Sequence, residues 1–92
     1  MNIVVVGGTG GIGSALIREL SLENNIYIGS RIKTNIDNMI TSLSLTNNLK
    51  NNNIICGNLV DAQSFDSMKS FLSLANNFLG SIDCIINCVG SV

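Results

Sequence analysis

Residues 7–13, which read Gly-Gly-Thr-Gly-Gly-Ile-Gly, are the part of this chain best suited to chemistry. They follow a run of β-branched residues and precede a segment whose apolar residues recur at helical spacing. This position predicts a turn between a strand and a helix. Free backbone N–H groups at a helix start, together with the helix dipole, attract anions. Gly7 can turn the chain tightly, Gly11 allows close approach of a phosphate group, and Gly13 allows close helix–sheet packing. The alternative is a glycine-rich turn that binds no ligand.

The elements that must position this turn alternate along the chain. Apolar, β-branched runs predict strands at residues 2–6, 25–30, 54–57 and 82–88, and helical spacing covers residues 11–22, 36–43 and 61–79. Strands that are apolar on both faces are typical of a parallel sheet covered by helices. We therefore predict an α/β fold with element order β-α-β-α-β-α-β and spatial strand order 3-2-1-4. This is a partial Rossmann fold, half of a doubly wound parallel sheet, and it takes up residues 1–92.

Side-chain spacing also predicts which faces of the helices are buried. The apolar face of the first helix is expected to consist of Ile12, Ala15, Leu16 and Leu20. The apolar stripe of the third is expected to consist of Phe65, Met68, Leu72, Ala75 and Leu79. Asp61 is the expected N-cap of that helix, with a direct ligand role as the alternative, and Gly80 is expected to end the helix. Tyr27, the single tyrosine, is expected to be a structural residue of the sheet.

The composition excludes several classes of function. Of the 92 residues, 46% are hydrophobic and 12% are charged, which argues against a disordered tail. A net charge of -1 with five basic residues argues against nucleic-acid binding. The chain has no histidine, which removes His-activated nucleophiles and most zinc sites, so no metal site is predicted.

The same composition bears on location. No apolar run approaches the roughly 18 residues that a membrane helix needs, and the N-terminus lacks the basic region of a signal peptide. Cys56, Cys84 and Cys88 form an odd set without a Cys-x-x-Cys motif, which favours reduced thiols over disulfides. We therefore expect a cytoplasmic location and no membrane partner.

Three motifs in a fixed order make the chain resemble the N-terminal part of the short-chain dehydrogenase/reductase family. The first is Gly7-x-x-x-Gly11-Ile12-Gly13, and the second is Asn58-Leu59-Val60-Asp61 after the third strand. The third, residues 80–90, looks like the family's strand that ends in Asn-Asn-Ala-Gly. The resemblance covers essentially all 92 residues and implies binding of a nicotinamide dinucleotide. The implied contact residues are Gly7, Thr9, Gly10, Gly11, Ile12, Gly13, Ser30, Arg31, Asn58, Leu59, Asn87, Val89 and Gly90.

Several residues depart from the family's pattern. Val6 replaces the usual threonine before the first glycine, and Asn58 replaces the aspartate that contacts adenine in the family. An amide can accept or donate a hydrogen bond, so adenine binding would be weakened or rearranged. In the last motif Asn87 and Gly90 match, whereas Cys88 and Val89 do not. The match implies that Asn87 organises the sheet and lies on the cofactor side.

The end of the second strand favours NADP(H) over NAD(H). NAD-specific proteins hold the adenosine ribose with an acidic residue here, whereas this chain has Gly29-Ser30-Arg31, and its next acid is Asp37. This position therefore has no carboxylate that would repel a 2′-phosphate, and the guanidinium of Arg31 could pair with that phosphate. The alternative for Arg31 is a solvated surface charge.

The residues that perform the family's reaction are absent from this sequence. Hydride transfer between nicotinamide and a carbonyl or alcohol uses a Tyr-x-x-x-Lys pair and a serine in the family. Tyr27 is followed four positions later by Arg31, so no catalytic residue is assigned. We expect a truncated cofactor-binding portion that is inactive alone. Its last strand would be an exposed edge for a complementary C-terminal half or for self-association. The alternative is a non-catalytic dinucleotide-binding or interaction module.

Overall fold

The computed structural model describes residues 1–7, 11–47 and 53–88, with the side chains of residues 45–47 left aside. Seven elements alternate along it: β1 (Asn2–Val6), α1 (Gly11–Leu20), β2 (Asn25–Ser30), α2 (Lys33–Asn47), β3 (Ile55–Leu59), α3 (Phe65–Leu79) and β4 (Cys84–Asn87). The described strands form one parallel sheet with the order β3-β2-β1-β4. The predicted fold class and strand order are thereby confirmed.

The register of the sheet brings the carboxyl ends of the strands to one edge. Val6 at the end of β1 pairs with Gly29 of β2 and with Asn87 of β4. Ser30 at the end of β2 pairs with Leu59 at the end of β3. The residues that follow each strand therefore share one rim of the sheet, which is where open α/β sheets bind ligands.

Alternate side chains of the strands pack against helices on opposite faces. One face forms a buried cluster with α1 and α2 that consists of Ile3, Val5, Ile17, Ile26, Ile28, Ile36, Met39 and Leu43. The other face forms a buried cluster with α3 that consists of Val4, Val6, Tyr27, Val60, Phe71 and Ala75. Burial of both faces explains why the strands are apolar throughout and confirms the predicted parallel sheet covered by helices.

Two strands have different lengths from those predicted. β3 continues through Asn58 and Leu59 because these residues still pair with Gly29 and Ser30 of β2. β4 is shorter than residues 82–88 because its pairing with β1 runs only from Ile3↔Cys84 to Val6↔Asn87. Backbone partners, which sequence spacing does not show, decide both boundaries.

The buried face of α1 differs from the predicted one. Ile12 is 84% exposed and Ala15 is also exposed, whereas Gly13 and Ile17 are buried. The helix therefore docks along the line from Gly13 to Ile17, and the missing side chain of Gly13 permits this approach. Leu16 and Leu20 are half-buried at the margins of this face.

The start of α3 also differs from the prediction. Ser64, not Asp61, is the N-cap, and its Oγ accepts a hydrogen bond from the Ser67 N–H at 3.2 Å. Asp61 instead closes the preceding turn, where its Oδ1 accepts from the Gln63 N–H at 3.0 Å. Phe65, the first residue of α3, is 80% exposed, and Phe71 takes the central buried position.

We expect Gly57→Ala to destabilise the fold by about 1–3 kcal/mol, because overpacking of a filled interior forces side chains and backbone to shift. A Cβ at Gly57 would lie 2.6 Å from the Ile28 carbonyl oxygen and 2.7 Å from Ile36 Cγ2. Urea unfolding followed by circular dichroism measures the change. Gly11→Ala is the matched control, since a Cβ there meets nothing within 4 Å. A Gly57→Ala chain as stable as the control would contradict the packing described.

Candidate functional site

The turn after β1 has the conformation that a glycine allows. Gly7 has a φ of 75°, in the left-handed region, and its N–H donates to the Gly29 carbonyl at 2.8 Å. The chain thus leaves β1 while still joined to β2, and Gly7 lies at the rim of the sheet. Thr9, Gly10, Val89 and Gly90 lie outside the described residues.

The first turn of α1 combines open space with close packing. A Cβ at Gly11 would find no atom within 4 Å, so the backbone there faces open space. Ile12 points to solvent, whereas Gly13 is buried. Another group can therefore approach the backbone at the start of α1 closely at Gly11, while the buried Gly13 lies on the side of the helix that faces the sheet.

A crevice of about 320 Å³ lies at the carboxyl ends of β1, β2 and β3. It is lined by Val6 and Gly7, by Ser30 and Arg31, and by residues 60–63. A second cavity of about 280 Å³ adjoins it, lined by Arg31, Leu59, Val60, Asp61 and Ser67. Three predicted contacts from two separate parts of the chain, Gly7 and the pair Ser30 and Arg31, thus meet in one crevice. Leu59 lies in the adjoining cavity, and it is 49% exposed.

The crevice begins beside the switch point of the sheet, which is the carboxyl end of β1, where the chain continues to β2 on one side and later returns to place β4 on the other. β2 and β4 both pair with β1, on its opposite sides. The Cys88 N–H donates to the Val6 carbonyl at 2.8 Å, which ties the end of β4 to the end of β1 next to Gly7. Asn87, which pairs with Val6, therefore lies at the switch point, where ligands of this class of sheet bind.

Asn58 lines neither of these cavities. Its Oδ1 accepts a hydrogen bond from the Leu59 N–H at 2.8 Å, and its side chain hydrogen-bonds the Tyr27 hydroxyl. The structure therefore does not bring the Asn58 side chain together with Gly7, Ser30 and Arg31.

The turn between β3 and α3 forms a wall of the crevice, where the sequence predicts a helix start, with a direct ligand role of Asp61 as the alternative. The Asp61 N–H donates to Ser67 Oγ at 2.9 Å, and the Ser64 N–H donates to the Asp61 carbonyl at 3.0 Å. The Val60 N–H donates to the Ser30 carbonyl at 2.9 Å. These bonds hold Asp61 against the rim. The available signal was a run of Asp and Ser residues, which favour turns as well as helix caps.

Arg31 and Asp61 are the two charged residues that line both cavities. The ion pair found among the described residues joins Lys33 and Asp37 at 3.4 Å on the exposed surface of α2. No ion pair joins Arg31 or Asp61 to another described residue, and both side chains line the open cavities.

Tyr27 is a core residue, as expected. It is 4% exposed, and its ring centroid lies 5.4 Å from that of Phe71 and 5.9 Å from that of Phe78. Burial raises the pKa of Tyr27 above its ordinary value of 10.0, although the hydrogen bond with Asn58 acts in the opposite direction. The phenol therefore stays neutral and within the core.

The chain contains no cluster suited to a metal ion, as far as the described residues show. Within the same residues, no helix has both the length and the apolar character needed to cross a membrane. Cys56, Cys84 and Cys88 are free thiols, each half-buried.

We expect alkaline pH to destabilise the wild-type chain more than a Tyr27→Phe variant. Because the folded-state pKa of Tyr27 is raised above 10.0, the stabilisation from the neutral phenol is complete below the unfolded-state pKa. It is lost as pH rises through the folded-state pKa, when the buried group must ionise. Urea unfolding at several pH values from neutral to alkaline measures both chains. Parallel loss of stability in the two would contradict the assignment.

Comparison with known proteins identifies the fold. Neither a protein-family model nor a curated protein sequence matches this chain. Solved structures do match. A short-chain type dehydrogenase/reductase from Mycobacterium ulcerans gives a TM-score of 0.85 at 19% identity, over 97% of this chain and 32% of that one.

Two further matches were solved with a cofactor. An actinorhodin polyketide ketoreductase with NADPH gives a TM-score of 0.84 at 18% identity, over 98% of this chain and 33% of that one. A metagenomic short-chain oxidoreductase in complex with NADP gives 0.82 at 17% identity, over 98% of this chain and 39% of that one. The chain spans about a third of the length of these structures and shares their fold over that third.

Proposed function

We propose that residues 1–92 are the NADP(H)-binding half of a Rossmann-fold domain of the short-chain dehydrogenase/reductase type. The observation that carries this proposal is the crevice in which the Gly7 turn meets Ser30 and Arg31. The fold shared with dehydrogenases and reductases of this type supports it. The three motifs of the sequence support it independently, because they occur in the family's order.

The glycine turn would hold the cofactor's diphosphate through backbone N–H groups. The left-handed Gly7 and the open space beside Gly11 supply a close approach to the start of α1, where the helix dipole favours an anion. Thr9, Gly10, Ile12 and Gly13 complete this turn as proposed contacts.

The rim beyond β2 would select the phosphorylated cofactor. β2 ends in Ser30 and is followed by Arg31, so the segment directly after β2 carries no acidic residue to hold the ribose hydroxyls. Arg31 is exposed in the crevice and its planar guanidinium suits a phosphate group. Similar structures that contain NADPH or NADP favour the same cofactor here.

The other proposed contacts lie beside this crevice. Leu59 lines the adjoining cavity, and Asn87 at the end of β4 lies at the switch point beside β1. Val89 and Gly90 follow it in sequence, and Asn58 remains a contact proposed from the resemblance.

The reaction of the whole domain would be hydride transfer between the nicotinamide and a carbonyl or alcohol. The 92 residues contain no Tyr-x-x-x-Lys pair, and Tyr27 lies within the core with its hydroxyl bonded to Asn58. The chain's own contribution is therefore to bind and orient the cofactor.

The proposed partner of the sheet is further polypeptide that covers β4. This strand is at the end of the described sheet, and its apolar residue Ile85 is 49% exposed. An apolar edge without protective charges pairs readily with another strand. A complementary C-terminal half would cover it, and self-association of the isolated chain is the competing outcome.

The free thiols suit the reducing cytoplasm as the location.

We expect the chain to bind NADPH more tightly than NADH, and Arg31→Ala to weaken NADPH binding about tenfold, since a hydrogen bond to a charged group is worth about 1.5–3 kcal/mol. Affinity for NADH should change little, because NADH lacks the 2′-phosphate. Isothermal titration calorimetry measures all four affinities. Arg18→Ala is the matched control, since Arg18 lies on α1 away from the crevice. An unchanged NADPH-to-NADH ratio in Arg31→Ala would remove the assignment.

We expect the purified 92-residue chain to show no carbonyl-dependent oxidation of NADPH, because it lacks the proton-transfer pair of the family. The measurement is NADPH absorbance in the presence of a panel of ketones and aldehydes. Turnover that follows the chain through purification would refute this expectation.

A further inference from the structure

We propose that a cavity between α1 and α2 binds a phosphate group through the guanidinium of Arg18 and the polar side chains of α2. This α1–α2 cavity has a volume of about 220 Å³ and is lined by Arg18, Asn35, Asn38, Met39 and Ser42. It shares no lining residue with the crevice at the rim or with the cavity that adjoins the crevice. The proposal is therefore independent of the cofactor proposed above.

The packing of the two helices brings these residues together. Both helices contribute to the same buried cluster, so they cover the same face of the sheet. On α2, Asn35, Asn38 and Ser42 follow one another at steps of three and four residues, which places them on one side of the helix. The buried Met39 lines the cavity from the side of the core, and Arg18 lines it from α1.

The lining supplies hydrogen-bond donors and a positive charge. The guanidinium is a planar fork of N–H donors, and the asparagine amides and the serine hydroxyl donate as well. No acidic residue is among the described residues that line the cavity. Glu19 of α1 is outside the lining, and Asp37 of α2 pairs with Lys33 at 3.4 Å. The cavity therefore suits an anion that has several acceptor oxygens.

Three of the donor side chains are not engaged elsewhere in the described part of the chain. The side chains of Arg18, Asn35 and Asn38 form no hydrogen bond or ion pair with another described residue, and Ser21 Oγ bonds only the carbonyl of Arg18. The helix dipole favours a basic residue in the last turn of α1, which accounts for Arg18 alone. It does not account for Asn38 and Ser42, since asparagine and serine are unfavourable in a helix interior.

The size and the chemistry of the cavity favour phosphate. Pockets for drug-sized ligands have volumes of about 300–1,000 Å³, so this smaller cavity suits a single group and not a whole nucleotide. A phosphate has more acceptor oxygens than a carboxylate, and these oxygens can meet donors from both helices at once. Arginine also binds phosphate through paired N–H bonds. A free phosphate ion and a small phosphate monoester share this chemistry.

The test is an NMR titration of the isotope-labelled 92-residue chain with inorganic phosphate, because side-chain signals report weak binding at each site separately. We expect phosphate to shift the Arg18 Nε–H signal and the side-chain amide signals of Asn35 and Asn38. Acetate at the same ionic strength should shift them less. Arg18→Gln and Asn38→Asp should each weaken phosphate binding here about tenfold, since one removes a charged donor and the other adds a like charge.

The matched control is Lys69→Gln, which removes the same charge from α3 on the other face of the sheet. It should leave the phosphate affinity of the cavity unchanged, and circular dichroism checks that each variant is folded. Equal weakening by Lys69→Gln, or unchanged binding in Arg18→Gln, would overturn the proposal. Wild-type signals that respond equally to phosphate, acetate and chloride would overturn it without any variant.

A parallel titration with glycerol phosphate identifies the source of the phosphate group. Tighter binding than that of inorganic phosphate supports a phosphate monoester as the ligand, and equal or weaker binding supports the free ion. Signals of Gly7 and Arg31 report on the crevice in the same spectra. A failure at the α1–α2 cavity is therefore distinguished from a failure of the proposed function.

Discussion

The parallel register of β1, β2 and β3 is the constraint on which the crevice depends. Val6 pairs with Gly29, and Gly29 pairs with Asn58, so the three strands end level with one another. A shift of one residue would exchange the two faces of a strand and break both apolar clusters, since side chains alternate with a period of two. The burial of both faces therefore fixes the register, and the register gathers the Gly7 turn, Arg31 and Asp61 at one rim.

The two ends of the sheet differ in how their polar side chains are bonded. At the amino end, the Asn2 side chain donates to the carbonyls of Leu79 and Ser81, and Asn25 donates to Asn2 and accepts from the Ile54 N–H. This chain of amide bonds ties the first residues of β1 and β2 to the segment before β3 and to the end of α3. At the carboxyl end, charged side chains line open space. The amide side chains at the amino end therefore bond to one another and to the backbone, whereas Arg31 and Asp61 at the carboxyl end are exposed.

Close packing beneath the rim connects the core to the crevice. A Cβ at Gly29 would lie 2.6 Å from Phe71 Cζ and 2.7 Å from Val60 Cγ1. The absence of a side chain at Gly29 therefore lets α3 and the turn after β3 approach β2. Because Val60 also lines both cavities, the packing of the core sets the floor of the crevice. Substitutions in this layer would change the shape of the site without touching a ligand.

The sequence alone was sufficient for the alternation of elements, the parallel sheet and the turn at Gly7, because apolar periodicity and glycine placement are local signals. The strand order was predicted from the doubly wound fold that such alternation indicates. The structure decided which face of α1 is buried, that Ser64 and not Asp61 caps α3, and that β3 extends to Leu59. It also decided that Asp61 lines the crevice while Asn58 bonds to Tyr27 and Leu59. These outcomes depend on partners distant in sequence. Both an aspartate in a turn and an aspartate at a helix start satisfy the same local rules, and only packing and pairing choose between them.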